Sequence, residues 1–170
     1  MDRQERDLRT IDATIRAALG EFVADIRRSG WWGKEREAVS HFAFGFLIRC
    51  CAADAELHDP AQIGIEVRVP RPPGLGIKDE ITKDLVIWGR PGETCWEAPH
   101  QSGRFPLAVM QWKVNEGSVS SDDVAWLVAL TTHQPGCHGF ALCLDLEPRL
   151  RLRCDRVHRG KIEEEWLTIE

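Results

Sequence analysis

"PLAVMQWKVN" (residues 106–115) decides the reading of the fold, because it begins as a buried strand and ends on Gln111, Trp112 and Lys113. Side chains alternate along a strand, so Val109, Gln111 and Lys113 share one face and Met110, Trp112 and Val114 take the other. An amide and an ammonium two residues apart on one face call for a carboxylate to meet them. The preceding strand, "KDLVIWG" (83–89), carries Asp84 at its start. A hairpin with a long loop pairs the two strands antiparallel, laying the start of one beside the end of the other. Asp84 then comes close to Gln111 and Lys113.

The rest of the chain supplies the frame. Leu8, Ile11, Ile15, Leu19, Phe22 and Ile26 recur every three or four residues and predict an amphipathic first helix, ended by "RRSGWWG". A second helix is expected from about Lys34 to Ala53, running through the core where "HFAFGFLIRCCA" turns apolar. "QIGIEVRVP" alternates as a strand, with Ile63, Ile65, Val67 and Val69 on one face and Glu66 and Arg68 on the other. Pro70, Pro72, Pro73, Gly74 and Gly76 form a loop, and "RPGETCWEAPHQSGRF" a longer loop or ragged hairpin tip. "SVSSDDVAWLVALTTHQP" is a helix with Ser120 or Ser121 as its cap and Asp122 and Asp123 in its first turn. "GFALCLDL" is a further strand, and the arginine-rich segment after it another. The order α-α-β-β-β-α-β is that of one α/β domain with a mixed sheet.

Composition narrows the classes. A chain of 170 residues buries a core without staples. No apolar run reaches the length of a membrane span, and "MDRQERDLRT" has no apolar signal segment, so a cytoplasmic protein is expected. The six cysteines contain no CxxC, and reduced thiols are expected rather than a zinc site or disulfides. A net charge of −5 gives no global pull toward nucleic acid. A local basic surface remains: in "PRLRLRCDRVHR", Arg149, Arg151 and Arg153 alternate with apolar residues and are expected on one strand face. The same pattern also suits an edge strand blunted by charge.

Asp and Gln oxygens are hard ligands suited to Mg²⁺ or Mn²⁺, which bind few protein groups and keep several waters. A lysine beside them supplies a compact charge that orients an attacking water or offsets charge at a phosphoryl group. This pattern, Asp84 followed by Gln111-x-Lys113 on consecutive strands ahead of a helix and another strand, resembles the PD-(D/E)xK nuclease superfamily. The resemblance runs over residues 34–145. It implies a restriction-endonuclease-like α-β-β-β-α-β core, a mixed central sheet flanked by helices, with the N-terminal helix of residues 1–30 added before it. Residues 146–170 would be a C-terminal strand and tail of the same single domain.

By the same resemblance, Asp84 is the metal-binding acid, Lys113 the catalytic lysine, and the backbone carbonyl of Trp112 a further metal ligand. Gln111 stands where the family usually has an acid, and Lys83 where it has proline. "GKEREAVSHF" offers Glu35 and Glu37 as the helix-borne acid, with Glu37 preferred. The implied activity is divalent-metal-dependent hydrolysis of DNA phosphodiesters, with Mg²⁺ or Mn²⁺ as cofactor and RNA as the second choice of substrate. The implied setting is a homodimer or the nuclease subunit of a larger assembly, in defence or mobile-element biology. The alternative is a binding or assembly subunit that kept the fold and lost activity through Gln111.

Overall fold

The computed structural model describes residues 10–75 and 79–170, so Leu8 of the expected first helix and Gly76 of the proline-rich loop lie outside it. Helix α1 spans Ile11–Ser29, capped at its start by the Thr10 side chain and closed by the Gly30 N–H on the Ile26 carbonyl. Helix α2 spans Glu35–Gly45 and is shorter than expected: at Phe46 the backbone leaves helical geometry (φ −131°, ψ −56°), and Leu47–Cys50 form a 3₁₀ turn. The apolar run that suggested a longer helix is buried all the same, through Phe46 and Leu47.

Among the described residues eight strands follow in chain order: β1 (Ile63–Pro70), β2 (Glu80–Ile87), β3 (Trp96–Ala98), β4 (Gln101–Ser102), β5 (Ala108–Val114), β6 (His138–Asp145), β7 (Arg151–His158) and β8 (Lys161–Ile169). Helix α3 (Ser121–His133) lies between β5 and β6, with Ser120 as N-cap accepting from the Asp123 N–H. Six strands form one sheet in the order β1-β2-β5-β6-β7-β8. The β5–β6 pair is parallel, joined by the α3 crossover, and every other pair is antiparallel, so the sheet is mixed and the class is α/β. The short β3–β4 ribbon sits in the long loop. A two-residue turn, Arg159 (φ 51°) and Gly160 (φ 73°), joins β7 to β8, the positive-φ geometry that matches strand twist.

Each face of the sheet has its own core. Helices α1 and α2 cover one with Phe22, Phe42, Met110, Trp112 and Phe140, and α3 covers the other with Val86, Val109, Trp126 and Leu127. The expected single apolar face of β1 does not hold. Ile63 and Ile65 pack toward α1 and α2, whereas Val67 and Val69 pack toward α3. Glu66, between them, has φ +52°, a left-handed conformation that breaks the two-residue alternation. The partner strand switches with it: Leu85 and Ile87 pack on the first side, and Lys83 lies over the Trp126 ring on the second. Asp84 sits at this switch.

Candidate active site

Strands β2 and β5 pair through Leu85–Met110, Val86–Val109 and Ile87–Ala108. One more step of that register sets Asp84 opposite Gln111. There the ladder gives way to a side-chain contact, with Asp84 Oδ2 accepting from the Trp112 N–H at 2.8 Å. The Trp112 indole is buried against Phe22 and Phe42, which fixes this part of β5 to the α1–α2 core. In an extended strand a residue's N–H and C=O point the same way, so the Trp112 carbonyl also faces the Asp84 side.

Lys113 Nζ donates to Glu35 Oε2 at 3.0 Å, which ties the end of β5 to the first turn of α2. The structure thus brings Asp84, Lys113 and Glu35 together from three elements, with Gln111 one register step beyond the last paired residues of β2 and β5. Glu37 goes elsewhere: its carboxylate accepts from the Lys34 N–H at 2.8 Å and so satisfies a backbone donor at the start of α2. Both glutamates lie in one helical turn, and the cap geometry divides their roles.

The charges interact. Burial pushes the Asp84 carboxyl above its ordinary range; the Trp112 hydrogen bond opposes this, Glu35 adds to it and Lys113 offsets it. For Lys113, burial pulls downward, but the hydrogen bond and charge of Glu35 outweigh it and hold the ammonium above its ordinary value. Gln111 is only 6% exposed, and its amide nitrogen has no hydrogen-bond partner among the described residues. A buried amide left half-satisfied costs about 1–3 kcal/mol, which marks the position as one not chosen for stability.

A cavity of about 240 Å³ opens beside Asp84, between the start of α2 and the β1–β2 switch. Glu35, Arg36, Glu66 and Asp84 line it with apolar Val39 and Ile65. Arg36 and Glu66 form an ion pair at 2.5 Å across its mouth-side surface, both side chains exposed. On the other side of Asp84, buried Lys83 lies 3.5 Å from Asp123 and 4.0 Å over the Trp126 ring. The sequence held a signal for this pair, since strand alternation sets Lys83 between Ile81 and Leu85, two residues to either side, and Asp123 lies in the first turn of α3.

Among the described residues no group of three or more His, Cys, Asp or Glu side chains is arranged to hold a metal ion. The donors that Mg²⁺ needs are nonetheless of the right kind. It binds through one or two carboxylates with neutral oxygens and water, and Asp84, Glu35, the Gln111 amide and the Trp112 carbonyl make up such a set. The carboxyl of Asp84, held up by burial and by the charge of Glu35 beside it, is the group there that a cation would relieve.

The arginines divide. Arg149 lies in the exposed turn ahead of β7, because the strand begins only at Arg151, so the three do not share a strand face. β7 is an inner strand between β6 and β8, not an edge. Arg151 pairs with Glu170 (3.3 Å) and Glu165 (3.9 Å), and Arg153 with Asp145 (3.4 Å). Arg153 is nevertheless in the row Lys113–Cys143–Arg153 across the sheet, two strand spacings or about 10 Å from Lys113. All six cysteines are free. Among the described residues no helix is long and apolar enough to cross a membrane.

No protein-family model matches the chain, and no curated protein or solved structure matches it.

Proposed function

We propose that this chain is a divalent-metal-dependent nuclease that hydrolyses DNA phosphodiester bonds on a restriction-endonuclease-like core. The observation that carries the proposal is the convergence of Asp84, Lys113 and Glu35 beside one cavity, with Gln111 opposite Asp84. The order α2, β1, β2, β5, α3, β6 supports the fold part of the reading, because it is the α-β-β-β-α-β order of that core.

Asp84, Glu35, Gln111 and the Trp112 carbonyl would hold Mg²⁺ or Mn²⁺. When bound, the ion supplies positive charge at the scissile phosphate. The chain's own part is positioning. Trp112 fixes Asp84 through its N–H, and α2 delivers Glu35 to the same place. Glu35 accepts from the Lys113 ammonium and holds it in place beside Asp84, where it would orient the attacking water and offset negative charge as it develops. Such preorganised charge is worth more in a part-buried site than in open water.

The test is cleavage of plasmid and of single-stranded DNA in Mg²⁺ or Mn²⁺, comparing wild type with Asp84→Ala and Lys113→Ala. Metal-dependent cutting by wild type alone is expected. A non-catalytic assembly subunit is the second reading, favoured by the closed Lys113–Glu35 pair and the uncharged Gln111. Equal inertness of all three proteins in both metals, with binding to a partner retained, would remove the nuclease reading in its favour.

A further inference from the structure

Trp32 and Phe44 are the two most exposed large apolar side chains among the described residues, at 58% and 66%; Trp32 lies just before α2 and Phe44 near its end, on either side of the first turns that line the Asp84 cavity. Their exposure has a structural cause. The chain from Trp31 to Lys34 is non-helical and leads straight into α2. Trp31 turns inward, stacked on His41 at 5.1 Å and tilted against Phe22 at 6.4 Å. Gly33 permits this, since a Cβ there would lie 2.6 Å from the Trp31 ring. With Trp31 anchored, Trp32 projects from a firm base only two residues before cavity-lining Lys34, within about 7 Å along the backbone. On α2 itself, Arg36, Ser40 and Phe44 follow at four-residue spacing and form one stripe, about 12 Å from Arg36 to Phe44.

Along the chain the two exposed rings therefore stand before and after Lys34 and Arg36, which line the cavity. Among the described residues the Arg36 side chain pairs with Glu66 alone, an exposed ion pair cheap enough to exchange for a phosphate. Exposed aromatic rings interleaved with cations are the arrangement that holds unpaired bases, which stack on flat rings while Lys and Arg follow the backbone. A duplex offers no free base faces for such rings.

Resting on the nuclease reading of the adjacent site, we propose that Trp32 and Phe44 stack unpaired bases. On this proposal Lys34 and Arg36 contact the intervening phosphates, so the substrate is single-stranded DNA or a single-stranded flap led to Asp84 and Lys113.

The experiment measures binding of a labelled single-stranded oligonucleotide and of the same sequence as a duplex, without divalent cation. It uses full-length wild type, Trp32→Ala, Trp32→Phe, Phe44→Ala and Asp84→Ala. The expected result is tighter binding of the single strand, roughly tenfold weaker with each alanine at a ring position. Trp32→Phe should keep most of the affinity, and Asp84→Ala should bind the single strand at least as well as wild type. A single-stranded RNA of the same sequence tells whether the platform also accepts ribose. Equal affinity for duplex and single strand, or indifference to both ring substitutions, overturns the proposal. So does a shift from dimer to monomer in sedimentation on Trp32→Ala or Phe44→Ala, which would make the rings a contact between copies. The two readings fail separately. Ring-dependent single-strand binding without metal-dependent cutting leaves this inference and removes the nuclease. Cutting of duplex by wild type with no ring dependence does the reverse.

Discussion

Asp84 accepts a hydrogen bond from the Trp112 backbone N–H at 2.8 Å, at the point where β2 and β5 cease to pair. One carboxylate thus performs two tasks. It completes the ladder in place of a backbone carbonyl, and it faces the cavity as an anion.

Those tasks separate on substitution. Asparagine keeps an oxygen that can accept from Trp112 and removes the charge; alanine removes both. Asp84→Ala is expected to lose about 1–2 kcal/mol of stability, the cost of orphaning a part-buried N–H, while Asp84→Asn stays near wild type and neither cleaves. The pH dependence follows from the raised carboxyl. Between the ordinary carboxylate value and the raised one, the folded state holds more protons than the unfolded state. The contribution of Asp84 is therefore full below the ordinary value and lost as pH rises through the folded one. Urea melts across mildly acidic pH should show that fall in wild type, and Asp84→Asn should lack it.

Glu35 and Glu37 offer a contrast within one helical turn. Glu37→Ala removes the acceptor of the Lys34 N–H and is expected to cost about 0.5–1 kcal/mol of stability while leaving cleavage close to wild type. Glu35→Gln is expected to change stability less, since its pair with Lys113 is part-exposed and worth about 0.2–1 kcal/mol. Its effect should fall on cleavage and on Mn²⁺ affinity, measured by calorimetry. Reversed outcomes would return the catalytic acid to Glu37.

How much of this was legible in the sequence follows from which signals are local. The strands β2, β5 and β6 and the start of α3 stand out because alternation and capping are written in a few adjacent residues. β8 does not, because "KIEEEWLTI" puts glutamate on both strand faces and most of its first half is exposed. The break of α2 is hidden by apolar residues that stay buried after the helix ends. The switch of faces at Glu66 and Asp84 is invisible to a rule of two, which assumes every residue is extended. The choice between Glu35 and Glu37 depends on which side chain folds back on the cap, a matter of tertiary geometry.

Gln111 tests whether the site trades stability for function. Leucine or methionine there removes the unpartnered buried amide, and Gln111→Met is expected to raise the unfolding free energy by about 1 kcal/mol while lowering cleavage. Gln111→Glu adds a third carboxylate beside Asp84 and Glu35. Without divalent cation it should destabilise the fold by like-charge repulsion and burial, and with Mn²⁺ it should bind the ion more tightly than wild type. Thermal melts with and without Mn²⁺ read both effects, and a stabilising Gln111→Glu in metal-free buffer would contradict this account.

Glu66 is where the fold itself can be probed. Its left-handed backbone turns β1 from the α1–α2 core to the α3 core, directly across from Asp84 in the register. A non-glycine residue pays about 1–2 kcal/mol for that conformation. Glu66→Gly relieves it and also frees Arg36, so a stability equal to wild type or up to about 1 kcal/mol higher is expected. Glu66→Val, β-branched and suited to an extended strand, should cost about 1–2 kcal/mol or more, because it opposes the switch that points Val67 and Val69 toward α3. If the valine variant is as stable as the glycine one, the switch is not held by the backbone of Glu66, and the placement of Asp84 must be set by the Trp112 contact alone.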